Sequence, residues 1–367
     1  MRSKVVRATF ISFVSMAMIF PLWPGVQMTF GAEVKNITLV LGGRQILPSA
    51  APYTSLAKQY WEQEGLKVDI LALGGSTEAI QALVMGKAQF GFLAPPPQMA
   101  VMTLERNVSV KAFYCNVVNF IAYTMVLEKS PIRRVADLKG KAIGVMAMSS
   151  SAIGYTKALA KEAGLDPNKD ISFFPIGMGA QAATALTSKK VDAIAIFDGA
   201  YASIEQLGIK LRRLESLPLE NKLGAAVNFV AMEDYLKKHR NEAIGLGRGI
   251  AKGTLFAITN PVATIKIHWK AFPESKPTGI DEKTAFAREE AVLQARLKNV
   301  RVDSKPVPLW GAILFEEMAA NQEAFFLAGD LKSKRDPWDY FTMELLAEIN
   351  NFDSRAIINE ARDWKEK

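Results

Sequence analysis

Residues 36–93 alternate short, β-branched apolar runs with segments whose apolar positions recur at helical spacing, and glycine-rich turns separate the two. Ile37-Thr38-Leu39-Val40-Leu41 reads as a strand ending at Gly42-Gly43, and residues 53–64 carry a helical period that Gly65 closes. Lys67-Val68-Asp69-Ile70-Leu71 reads as a second strand, Gly74-Gly75-Ser76-Thr77 as a turn, and residues 78–85 as a helix with Gly86 just past its end. Phe90-Gly91-Phe92-Leu93 is a third strand, halted by Pro95-Pro96-Pro97. Strands alternating with helices imply a largely parallel sheet covered on both faces.

A second unit of the same kind follows Ser130-Pro131. Lys141-Ala142-Ile143-Gly144-Val145 is its strand, Ser149-Ser150-Ser151 its turn and residues 152–163 its helix, closed by Gly164; Ile171-Ser172-Phe173-Phe174 is the next strand, and Gly177-Met178-Gly179-Ala180-Gln181 opens another helix. The segment Ala82-Leu83-Val84-Met85-Gly86-Lys87-Ala88-Gln89-Phe90 is echoed by Ala185-Leu186-Thr187-Ser188-Lys189-Lys190-Val191-Asp192-Ala193. Two similar α/β lobes in one chain account for the echo. Beyond residue 231 the pattern turns helical, through residues 232–256, 285–299 and most of 308–367. A late helical tail must bury its apolar face on something already built, and the first lobe is the expected platform. The expected division is a first lobe of residues 33–125 and 226–367, interrupted by a second lobe of 126–225. Two chain crossings, near Tyr123-Thr124-Met125-Val126 and Ala225-Ala226-Val227-Asn228, would form the hinge.

Residues 1–32 have another character. Arg2, Lys4 and Arg7 precede an apolar run over residues 8–20 that Pro21 stops, and Phe30-Gly31-Ala32 follows with small residues where a signal peptidase cuts. The run is shorter than the roughly 20 residues that a spanning helix needs. Cleavage is expected after Ala32, and with Glu33 rather than a cysteine at the cut the product should carry no lipid anchor. Removing those three basic residues lowers the net charge of the 367-residue chain from +8 to about +5, spread among acidic residues. Export makes nucleic acid an unexpected partner. A single cysteine, Cys115, permits no internal disulfide, and 49% hydrophobic with 22% charged residues is an ordinary globular composition.

Ala136-Asp137-Leu138-Lys139-Gly140-Lys141-Ala142-Ile143-Gly144-Val145 resembles the segment that opens the second lobe of type II periplasmic binding proteins. Glu64-Gly65-Leu66-Lys67-Val68, the run from Gly74 through Gly75-Ser76-Thr77 to Leu83, and Val191-Asp192-Ala193-Ile194-Ala195-Ile196-Phe197 join it in order. Trp310-Gly311 and Ile349-Asn350-Asn351-Phe352-Asp353 extend the match over roughly residues 36–360. Together they resemble the nitrate/sulfonate/taurine-binding and thiamine-pyrimidine-synthase-like group. Gln89 stands where that group often has Asp, and Lys189 where it often has Gly. The resemblance implies an α/β, two-lobed fold, each lobe a mostly parallel sheet flanked by helices. It implies a periplasmic, non-catalytic solute-binding subunit, monomeric and without a cofactor, that delivers its ligand to the permease and ATPase subunits of an ABC importer.

In open α/β sheets ligands bind at the carboxyl ends of the strands, where helix N-termini offer free N–H groups and a positive dipole end. Gly75, Ser76 and Thr77 of the first lobe and Ser149, Ser150, Ser151, Met178 and Gln181 of the second are the candidates there, although Ser76 and Ser149 could equally cap their own helices. Arg44, beside Gln45, could grip a carboxylate or sulfonate. Ala94 and Pro95 would shape a wall, and Asn116 would add an amide near the hinge. Asp198 could accept from an amino group or cap the helix that follows. A small organic anion is the expected ligand, and a neutral aromatic heterocycle the alternative. A secreted enzyme or a sensor subunit would share the fold, but His239, His268 and Cys115 show no metal-ligand spacing, and no nucleophile elbow or P-loop occurs.

Overall fold

The structure, a computed structural model, describes residues 34–42, 54–56, 58–93, 108–303 and 305–366. Residues 1–33, where the cleaved leader is expected, and Arg44, Gln45, Ala94 and Pro95 lie outside the described residues. The described residues form ten strands: β1 (Lys35–Leu41), β2 (Leu66–Ala72), β3 (Phe90–Leu93), β4 (Val110–Asn119), β5 (Thr124–Leu127), β6 (Lys141–Val145), β7 (Ile171–Pro175), β8 (Ala193–Ala195), β9 (Leu211–Arg213) and β10 (Gly224–Met232). The helices are α1 (Ser76–Val84), α2 (Ala152–Glu162), α3 (Ala180–Thr187), α4 (Asp198–Glu205), α5 (Glu233–Lys238), α6 (Arg240–Thr259), α7 (Pro261–Ala271), α8 (Glu282–Leu297), α9 (Phe315–Leu327), α10 (Leu346–Ile349) and α11 (Ser354–Arg362).

The strands build two five-stranded sheets, in the orders β2-β1-β3-β10-β4 and β7-β6-β8-β5-β9. β1 runs parallel to β2 and β3, and β10 antiparallel to β3 and β4. In the second sheet β6 runs parallel to β7 and β8, and β5 antiparallel to β8 and β9. Each sheet therefore has one strand against four, in the same place. The chain leaves the first sheet between Asn119 and Thr124 and returns between Arg213 and Gly224. The fold is two-lobed α/β.

The sequence echo has a structural counterpart. Gly86 and Lys189, just past α1 and α3, both hold left-handed backbone, at φ 68° and 61°. That geometry suits Gly86 and makes Lys189 the exception. Immediately before β3 the Gln89 side chain accepts from the Thr38 N–H (2.8 Å), and immediately before β8 Asp192 accepts from the Ala142 N–H (2.9 Å). Gln and Asp both supply an acceptor there.

The described residues within 53–64 depart from the expected helix. Thr54–Leu56 are helical, Gln59 turns to φ 57°, and only Glu62–Glu64 resume, as a short 3-10 turn. The break lets two adjacent aromatics be buried in different directions: Tyr60 donates to Glu360 (2.9 Å) and the Trp61 indole to the Leu246 carbonyl (3.0 Å).

The tail does not stay on the first lobe. α6 lays Leu246 and Ile250 against Leu39, Phe113 and Phe229 of the first sheet. α9, however, packs Met318 and Phe325 into a core that joins Val40 and Leu83 of the first lobe to Val145 and Leu159 of the second. Its Asn321 accepts from Tyr155 of α2 (2.6 Å) and donates to the Gly224 carbonyl (3.1 Å). α6 carries Gly249 directly against the Trp61 ring, where a Cβ would lie 2.1 Å from Cδ1. Gly249→Ala gains about 1 kcal/mol of helix propensity, but overpacking a ring that is 1% exposed and hydrogen-bonded costs more. A net loss of about 2 kcal/mol is expected, read as a lower urea midpoint at unchanged slope.

Candidate functional site

The two sheets point their carboxyl ends at a shared cavity of about 120 Å³. Leu41 and Gly42 reach it from the end of β1, Phe92 from β3, Met146 from β6, and Ile196 and Phe197 from β8. Ile121 and Ala122 come from the first crossing and Val227 from β10. Four helix beginnings converge on the same space: Gly75 and Ser76 at α1, Ser151 and Ala152 at α2, Met178 just before α3, and Phe197 at α4. Their N–H groups and dipoles favour negative charge, while the Met, Phe and Ile side chains favour an apolar body.

The lobes touch across the cavity mouth. The Thr77 hydroxyl donates to the Ser149 carbonyl at 3.3 Å. A Cβ built on Gly75 would fall 2.5 Å from Ser149 Oγ and 2.7 Å from its carbonyl oxygen, so only glycine permits this approach. The two lobes meet at this contact.

Arg296, near the end of α8, is the ionisable side chain among the described lining residues. Its Nε and Nη2 meet the Asp198 carboxylate at 2.9 and 2.7 Å, a bidentate contact. Asp198 also accepts from Asn299 Nδ2 (2.9 Å) and the Gly199 N–H (2.8 Å). Nη1 has no partner among the described residues, and the Phe197 ring lies 6.0 Å from the guanidinium carbon. The first crossing is braced beside the site. Tyr201 stacks on Tyr123 at 5.1 Å, donates to the Tyr123 carbonyl and accepts from the Ile196 N–H at 2.8 Å. Burial pushes the Tyr201 phenol well up, which keeps it a donor at every working pH.

Gly75, Ser76, Ser150, Ser151 and Met178 of the sequence-derived candidates come together at the cavity. Thr77 and Ser149 form the interlobe contact at its mouth instead of lining it. Asn116 is drawn away into a buried bond with Thr254 of α6 (2.9 Å). Gln181 lies on a separate open groove with Thr184, Ser188 and Lys190. Asp198 sits one layer behind the wall, as the partner of Arg296 rather than of a ligand amino group. Arg296 itself is not among the candidates read from the sequence. Its signal is its position on the apolar stripe of α8 with Val292, Leu293 and Leu297, where an arginine must be buried and paired.

Cys115 is buried, with burial pushing its thiol up, and His268 is buried in α7, with burial pushing its imidazole down to about 4. His239 pairs with Glu242 at 2.9 Å near the start of α6. None of the three lines the cavity. Among the described residues no group of three His, Cys, Asp or Glu side chains could hold a metal ion, and no helix is long and apolar enough to cross a membrane.

Two lobes of one topology enclosing a cavity between their strand ends define a periplasmic-binding-protein fold. The family model described as NMT1/THI5 like matches residues 48–264, and the chain belongs to that family. A Brucella abortus protein named "putative binding protein" is 25% identical over 299 residues, 77% of this chain and 83% of that one. The alkanesulfonate-binding protein SsuA of Xanthomonas axonopodis pv. citri, solved bound to MOPS, is similar at a TM-score of 0.61 and 17% identity, over 85% of this chain and 99% of that one. The desulfurization enzyme DSZB, solved as a point mutant in complex with biphenyl-2-sulfinic acid, is similar at a TM-score of 0.54 and 14% identity, over 87% of this chain and 99% of that one.

Proposed function

We propose that this protein captures a small organic anion between its lobes and delivers it to an ABC permease. The observation that carries the reading is the interlobe cavity lined by four helix N-termini, Arg296 and an apolar wall. An acid head group suits the N–H groups and the guanidinium, and an organic body suits Phe92, Phe197, Met146 and Met178. That the similar Xanthomonas protein was solved with a sulfonate bound supports the same ligand class here. A neutral heterocycle held by Asp198 is less favoured, because Arg296, Asn299 and Gly199 already occupy that carboxylate. The reading includes export with cleavage after Ala32 and a monomer in the periplasm. It also includes a hinge between a first lobe of residues 33–125 and 226–367 and a second of 126–225, with ligand contacts to both lobes favouring closure.

Thermal shift against sulfonates, nitrate, carboxylates and pyrimidines tests it. A ligand at a hundred times its Kd stabilises the folded chain by about 2.7 kcal/mol, and sulfonates should give the largest rise in Tm. Shifts from pyrimidines alone would overturn the anion reading. Turnover of any hit into product would overturn the non-catalytic one.

A further inference from the structure

The charge balance behind the cavity wall says more about the ligand than the wall itself. Arg296 and Asp198 are 7% and 3% exposed. Their contact uses two of the three guanidinium nitrogens, and both carboxylate oxygens are met, Oδ1 by Nη2 and the Gly199 N–H, Oδ2 by Nε and Asn299 Nδ2. The cation is thus matched by a buried anion on its far edge before any ligand arrives. A ligand acid reaching Nη1 adds one negative charge, which the converging helix N-termini can offset. A second charge on the same head group would be buried close to the Asp198 carboxylate with no cation among the described lining residues to meet it.

Resting on the anion-capture reading above, we infer that Asp198 is a specificity-determining residue: by cancelling Arg296 it limits the cleft to ligands bearing a single negative charge and rejects dianions of the same shape. Asp198 does not line the cavity. It acts through Arg296.

The test is calorimetric titration of the purified protein with butanesulfonate and with butyl phosphate at pH 5 and pH 8. The sulfonate is a monoanion at both values, whereas a phosphate monoester gains its second charge with a pKa of about 6. Sulfonate affinity should hold within threefold, and butyl phosphate should bind more than tenfold more weakly at pH 8 than at pH 5. Butyl phosphate binding equally well or better at pH 8 overturns the inference while leaving anion capture standing. If neither compound binds at either pH, the anion-capture reading falls and takes the inference with it. Asp198→Asn, with its fold checked by circular dichroism and melting, should raise the phosphate-to-sulfonate affinity ratio at pH 8 more than tenfold. A folded variant with the wild-type ratio removes Asp198 from the role. Should that variant not fold, the wild-type pH comparison still decides.

Discussion

Arg296→Ala should lower the unfolding free energy by about 3–5 kcal/mol, because it leaves the Asp198 carboxylate buried without its cation. The pair joins α8 to the first residue of α4, and its side chains are 9% and 2% exposed, so solvent cannot take over the lost contact. Exposed pairs such as Arg301 with Asp303 are worth less than about 1 kcal/mol and provide the control. Urea unfolding of the two alanine variants should separate by several-fold in the size of the loss. Combining Arg296→Met with Asp198→Asn should recover more than half of it. The introduced amide oxygen keeps one of the two donors, Gly199 N–H or Asn299 Nδ2, and no unpaired charge stays buried. The same double variant should remain unable to bind sulfonates, which separates the stabilising part of the pair from its contact with ligand. A double variant no more stable than Arg296→Ala would show that the buried charge is not the source of the loss.

Why Arg296 escapes a reading of the sequence, while Ser76 and Ser151 do not, follows from range. The serines belong to local strand-turn-helix units, and the rule that ligands sit at strand carboxyl ends places them without any knowledge of long-range packing. The lobes are legible for the same reason, since each repeats a pattern only tens of residues long. Arg296 depends on α8 packing beside α4, 98 residues away in sequence. The expectation that the tail rests on the first lobe points away from that contact. Asn116 fails in the opposite sense. It sits on β4 near the crossing, where a polar side chain looks like a cleft residue, but its amide finds Thr254 on the helix that covers the sheet. A polar side chain in a strand is legible as polar, and only the covering helix decides which face it serves.

Gly75→Val should leave the protein folded and lower ligand affinity by about ten- to a hundredfold, the 1–3 kcal/mol typical of overpacking at a fixed contact. The expectation rests on which state the side chain disturbs. Gly75 has φ −172° and ψ 175°, extended backbone that valine adopts readily, and it precedes the first residue of α1, so the helix loses nothing. The collision is with Ser149 of the other lobe, 2.5 Å from a Cβ at this position, and it exists only while the lobes are closed. An equilibrium between open and closed forms shifts by the difference a change makes between them. Here the whole penalty falls on the closed form. Melting in the absence of ligand should therefore stay near wild type, whereas the ligand-induced rise in Tm should shrink. The scattering radius of the saturated protein should stay at its ligand-free value. Ser149→Gly in the same chain removes the colliding hydroxyl but not the carbonyl that lies 2.7 Å away, so it should restore affinity only in part. Full affinity in Gly75→Val would mean that ligand capture does not require the lobes to meet at this contact, and closure would then have to be sought elsewhere along the cleft.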